Sequence, residues 1–243
     1  MYSLNEEESE RVILTAHDVR GFFQDPSVEA SETVIMVGAS LTLEELPLTL
    51  EDVELQVQDR EGAKIGAYYI GRVDVVGSRE SEEVPGRTDL ALDLDGYGLP
   101  FPYAGEIWRI WAQGGPHMPG MWRSLPAKAH ESWLHVVQTA WFGSGRQALL
   151  YGEEEQHEIP GADLLNISSF YCALGEAVNG LGGYMGSNPD ALRDCLINSH
   201  GSRRQLLRLV WRDFDVSRQR IETEELDAAI STLRENGVDL HLA

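Results

Sequence analysis

Two hydrophobic periods divide the chain. Up to about residue 150 the apolar positions alternate or cluster in short runs, as strands do; beyond "YGEEEQHEIPG" they recur every three to four positions, as on the buried face of a helix. The change falls beside Glu153, Glu154 and Glu155, and predicts one domain over residues 1–152 and a second over 153–243. In the first, "VELQVQDREGAKIGAYYIGRVDVV" predicts a hairpin, with Val53, Leu55 and Val57 alternating ahead of a turn over residues 59–62 and a second long strand behind it. "TVIMVGAS" predicts another strand. "HESWLHVVQTAWF" instead places Trp133, Val137 and Trp141 at spacings of four, which on a helix is a stripe facing a core. The expected fold of this part is a β-rich α+β domain.

The second part parses more regularly. "HEIPG" reads as a short strand, and "ISSFYCALGEAV" as a helix with Ser168 as its cap and Phe170, Leu174 and Val178 on one face. Asn188 has the character of an N-cap, Pro189 suits the first helical position and Asp190 the positive end of the dipole, so a helix runs from 189 to about 197. "LLRLVW" is a buried strand and "RDFDVSRQR" a short polar helix. "ETEELDAAISTLRENG" is a helix with Leu226, Ile230 and Leu233 inward and Gly237 as its stop, and "VDLHLA" is a last strand. The order βααβααβ implies an α/β fold, a small parallel sheet covered by helices.

Charge narrows the choice of partner. Forty acidic against nineteen basic residues leave a net charge of −21, with 28 acids and 11 bases before Pro160 and 12 acids and 8 bases from there on. Such a surface repels nucleic acid and anionic membranes and suits a basic partner. Cys172 and Cys195 sit in apolar helical patterns without CxxC spacing, which points to buried reduced thiols rather than a disulfide or a metal site. The start of the chain is acidic where a signal peptide is basic, and no stretch approaches a membrane span. A cytoplasmic protein is expected.

Catalytic and cofactor motifs fail on spacing. In "HESWLH" the histidines His130 and His135 are five apart, about 140° around a helix, so they cannot share a metal face. "WFGSGRQ" lacks the GxSxG elbow. "GLGGYMG" has Met185 where GxGxxG needs its last glycine, and no GK[ST] follows. Asp89, Asp93 and Asp95 miss the EF-hand spacing and read as solvated strand or turn residues. No catalytic residue, metal or cofactor is assigned.

The stretch "NGLGGYMGSNPDALRDCL", residues 179–196, poses the sharpest question. A glycine-rich loop entering a helix is the usual cradle for a phosphate, yet this helix carries Asp190 and Asp194, with Arg193 as its one cation near them.

Those residues carry a resemblance. "YMGSNPDALRDCL", followed by "LRLVWRDF" and "ENGVDLHLA", resembles the barstar family, the intracellular inhibitors of barnase-type ribonucleases, whose pattern is a tyrosine, a glycine and then N-x-D-A-L-x-D-C-L. The likeness runs from about His157 to Ala243. It implies the same βααβααβ order. It also implies that the loop and second helix plug a ribonuclease active site, with Asp194 as the central plug, Asp190 as a second acidic contact, Tyr184 as a stacking aromatic, and Gly186 and Asn188 shaping the loop. Asp190 and Asp194 are four apart and so share a helix face. A carboxylate pair there satisfies the cations of a phosphate site without being cleavable, so the cradle imitates a phosphate ligand and does not bind one.

Three departures from the family pattern mark this sequence. Arg193 stands where the family's best-known member has a tryptophan, and lies three residues after Asp190, in range to pair with it; Met185 replaces a second aromatic; and the acidic contact on the outer face of the last helix falls near Thr232, with Glu235 close by. The resemblance implies a basic extracellular-type ribonuclease, or a ribonuclease toxin domain for which this chain is the bacterial immunity protein. A second reading makes the C-terminal unit a docking module without inhibition, and a third makes the first part an enzyme whose tryptophans line a pocket. The first part resembles no family we can name.

Overall fold

The computed structural model describes residues 1–25, 33–42, 46–95, 98–146, 156–198 and 207–243. By packing, the chain forms two compact units, residues 1–114 and 115–243. The boundary expected at 152/153 lies outside the described residues. The division by packing comes earlier because the tryptophan-rich helix joins the second unit.

The first unit is built from β1 (Tyr2–Glu6), β2 (Val12–Ala16), β3 (Asp18–Arg20), β4 (Thr33–Leu41), β5 (Thr49–Gln58), β6 (Lys64–Glu80), β7 (Thr88–Asp93) and α1 (Ala104–Trp111). Every strand pairing is antiparallel, and the order β2-β1-β5-β6-β7-β4-β3 is closed by a further pairing of β2 with β4. The sheet therefore curls onto itself as a barrel, which leaves few free edges. Leu4 faces Leu14 on one neighbour and Leu55 on the other, and all three are buried, as are Val53 and Val57 along the alternation read from the sequence. The hairpin turn forms where expected: Asp59 Oδ1 accepts from the backbone of Glu61 and Ala63. Trp108 on α1 is buried, and its Nε1 donates to Tyr68 OH at 2.8 Å.

Asp89 corrects the reading of the aspartate run. It is buried, accepting from the Gly38 backbone at 2.9 Å and facing Arg79 at 3.3 Å, and is a strand-pinning group rather than a solvated one.

The second unit begins with α2 (His130–Gly143) and continues through β8 (His157–Pro160), α3 (Ile167–Asn179), α4 (Pro189–Asn198), β9 (Arg208–Arg212), α5 (Phe214–Arg220), α6 (Thr223–Glu235) and β10 (Asp239–Leu242). From β8 onward this is βααβααβ. The sheet order is β10-β9-β8, parallel throughout, as the sequence pattern implies. A parallel sheet of this size needs cover, and Phe170 of α3 stacks on Trp211 of β9 at 4.6 Å between ring centroids. The cap of α3 is Asn166, in a reciprocal capping box with Ser169, and not Ser168. Phe170, Leu174 and Val178 are buried, and Gly237 at φ +81° ends the segment behind α6.

Trp133, Val137 and Trp141 of α2 are buried, confirming the stripe as core. That core is shared with α3. Cys172 Sγ reaches the His130 carbonyl at 3.7 Å, and Asn166 Nδ2 donates to the Ala127 carbonyl at 2.8 Å. Ahead of α2, the Glu176 carboxylate of α3 accepts from the Gly120 backbone and from Trp122 Nε1, each at 2.8 Å.

Candidate functional site

The loop before α4 is fixed by close backbone approach. Gly175 in α3 and Gly183 in the loop lie against each other, and a Cβ on Gly175 would stand 2.3 Å from the Gly183 carbonyl. Asn179, last residue of α3, donates from Nδ2 to the Tyr184 carbonyl at 2.7 Å and so ties the far end of the loop to the helix it leaves. Gly186 has φ +98°, a conformation that favours glycine, and a Cβ there would sit 2.7 Å from the Leu192 backbone. Gly186 is buried and gives the loop its shape.

The helix then starts as its residues dictate. Asn188 Oδ1 accepts from the Ala191 backbone at 2.9 Å, and the Asn188 carbonyl takes the first helical bond from Leu192. Leu192, Cys195 and Leu196 are buried, which turns positions 190, 193, 194 and 197 outward along one stripe. Asp190 is 85% exposed at its side chain and is paired with Arg193 at 2.8 Å, the i,i+3 contact that the spacing allows. Asp194 is exposed, and among the described residues no cation pairs with it. Burial raises the Cys195 thiol to about 11, with the Asp194 charge as the smaller cause, and burial also raises the Tyr184 hydroxyl to about 12. Both cysteines are buried free thiols.

Tyr184 departs from expectation. It is 1% exposed, its ring is edge-on to Phe142 at 5.3 Å between centroids, and its hydroxyl lies 3.2 Å from Ser187 Oγ. A ring so covered has no free face for a partner to stack on. The cover comes from α2, more than forty positions upstream, so neither local pattern nor family likeness announces it. Met185 is likewise buried, with Asn179 Nδ2 3.8 Å from its sulfur. Thr232 is also inward, buried and donating to the Ala228 carbonyl, so the outer face of α6 does not present it.

Metal chemistry finds no cluster of three or more candidate ligands among the described residues. His130 is sealed beneath Trp122, ring centroids 5.5 Å apart, and its nitrogens make no hydrogen bond of normal geometry. What the site presents is an acidic stripe, with one carboxylate engaged by its own arginine and one exposed and without a cation partner among the described residues.

Residues 154–240 match the family model described as Barstar (barnase inhibitor). The match covers the βααβααβ unit except its final residues and leaves α2 outside it. Compared with curated proteins, the chain finds no match. Over the C-terminal third of the chain, then, the sequence is similar to a family of barnase inhibitors.

Proposed function

We propose that the protein is an intracellular, non-enzymatic inhibitor of a basic ribonuclease or ribonuclease toxin, acting one to one by placing Asp194 in the cationic phosphate site of the enzyme. The observation that carries this reading is the open Asp194 carboxylate on a helix fixed by the Asn188 cap and by the tight Gly186 turn, within the segment that matches an inhibitor family. A rigid carboxylate loses little freedom on docking, and burying it against paired cations stabilises the complex far more than an exposed pair does. Asp190 contributes less, since Arg193 already holds it. The same pair tunes the choice of target: a partner that engages Asp190 must displace Arg193 or offer it an acid.

The test mixes the full chain and its Asp194→Ala variant with a panel of small secreted ribonucleases and ribonuclease toxin domains. Residual RNA cleavage is measured together with binding by calorimetry. Because Asp194 is exposed, the variant should melt within a degree or two of wild type while binding weakens by about 2 to 5 kcal/mol, the cost of stranding a buried partner charge. Equal affinity of the two proteins would overturn the proposal.

A further inference from the structure

The family likeness leads one to expect an aromatic ring beside the acidic helix, and the residue at that position is buried. The ring on the outside of it is Phe142, near the end of α2, which is 50% exposed and stands edge-on to Tyr184 at 5.3 Å and 68°. We propose that Phe142, supplied from outside the matched domain, is the aromatic contact of the partner-facing surface and helps select which ribonuclease is held.

The inference rests on the inhibitor reading above and adds a residue to it. Phe142 is linked to the start of α4 by short contacts. Its ring touches Tyr184, the Tyr184 hydroxyl meets Ser187, and the next residue, Asn188, caps α4, so a chain of short contacts joins the aromatic to the helix that carries the carboxylate. Leu181, 42% exposed on the glycine-rich loop, adds apolar area on that loop.

The chemistry of the occupant follows. An enzyme that cleaves single-stranded RNA holds a phosphate with cations and a neighbouring base on an apolar or aromatic platform. An exposed ring joined through Tyr184 to the helix that carries the carboxylate offers both features in a form that cannot be cleaved. The committed partner is thus a ribonuclease cleft with a base-stacking platform next to its phosphate site. A rigid ring with two side-chain torsions gives large contact area for little lost entropy, which is why aromatics dominate binding at such surfaces.

The experiment compares wild type, Phe142→Ala, Phe142→Leu and Asp194→Ala, all in the full chain, on the same ribonuclease panel, reading association and dissociation rates alongside thermal melting. Phe142→Leu keeps an apolar cover on Tyr184, so it carries the comparison if the alanine variant melts early. Both Phe142 variants should bind about tenfold more weakly, through faster dissociation, at unchanged melting temperature for the leucine variant. If both bind as wild type while Asp194→Ala loses binding, the Phe142 proposal is overturned and the inhibitor reading stands. Tighter binding by Phe142→Ala also overturns it, making the ring a cover that a partner has to displace. If wild type binds no ribonuclease, or Asp194→Ala binds like wild type, the inhibitor reading fails and this inference fails with it.

Discussion

Single side chains in this protein divide into those that shape the acidic surface and those that form it. Gly186 shapes: any side chain there meets both a left-handed backbone and the Leu192 main chain. Asp194 forms, and its advantage over Asp190 is the lack of a described cation beside it. Both residues are legible in sequence, but the fate of Tyr184 is not, since the ring that covers it belongs to another helix. The histidines of α2, His130 buried and His135 half-buried, give a further consequence. Burial lowers the affinity of both His130 and His135 for protons, pushing His135 down to about 4. An unfolded histidine takes up its proton near pH 6.5, so between about pH 6.5 and 4 the unfolded state binds more protons and stability falls with falling pH. The stabilisation is complete above that window. Urea midpoints taken at pH 7.5 and 5 should show the drop, and His135→Gln should flatten it; an unchanged pH slope would remove His135 from the account.

Among the elements, α3 is the hub. It carries the glycine that admits the loop, the asparagine that ties it, the phenylalanine that stacks on the sheet and the glutamate that holds the segment ahead of α2. One face of α3 is covered by α2, which the family match leaves out. Stripping α2 away exposes apolar area that the unit otherwise buries, at roughly 25 cal/mol for each Å². A fragment of residues 115–243 is therefore expected to unfold in one cooperative step, and one of residues 154–243 to melt at a clearly lower temperature or to bind a dye for exposed apolar surface. Equal melting of the two would mean that α2 adds nothing to the stability of the inhibitor-like unit. The helix itself was visible in the tryptophan spacing, but its allegiance was not, because an apolar stripe says that a face is buried and not against what.

Taken together, the 243 residues combine an acidic barrel with an inhibitor-like unit, and the charge is uneven. Residues 1–114 hold 23 acidic and 8 basic residues, the remainder 17 and 11. On the proposed function, the field of so acidic a barrel would accelerate encounter with a basic enzyme. Removing residues 1–114 should slow association with such an enzyme at low salt, and the rates should converge as added salt shortens the screening length below about 10 Å. The same association rate at every salt concentration would leave the barrel with a different role.

The βααβααβ order, the start of α4 and the outward placement of Asp190, Arg193 and Asp194 were written in local signals: apolar period, the Asn-Pro-Asp helix start, and a spacing of three or four. These are properties of one segment at a time, and a segment carries them wherever it lies. The closure of the barrel by β2 on β4, the transfer of α2 to the second unit, the burial of Asp89, and the burial of Tyr184 against Phe142 depend on which surfaces meet across long stretches of chain. Burial is set by the neighbour as much as by the residue, and here the decisive neighbours come from elsewhere in the chain.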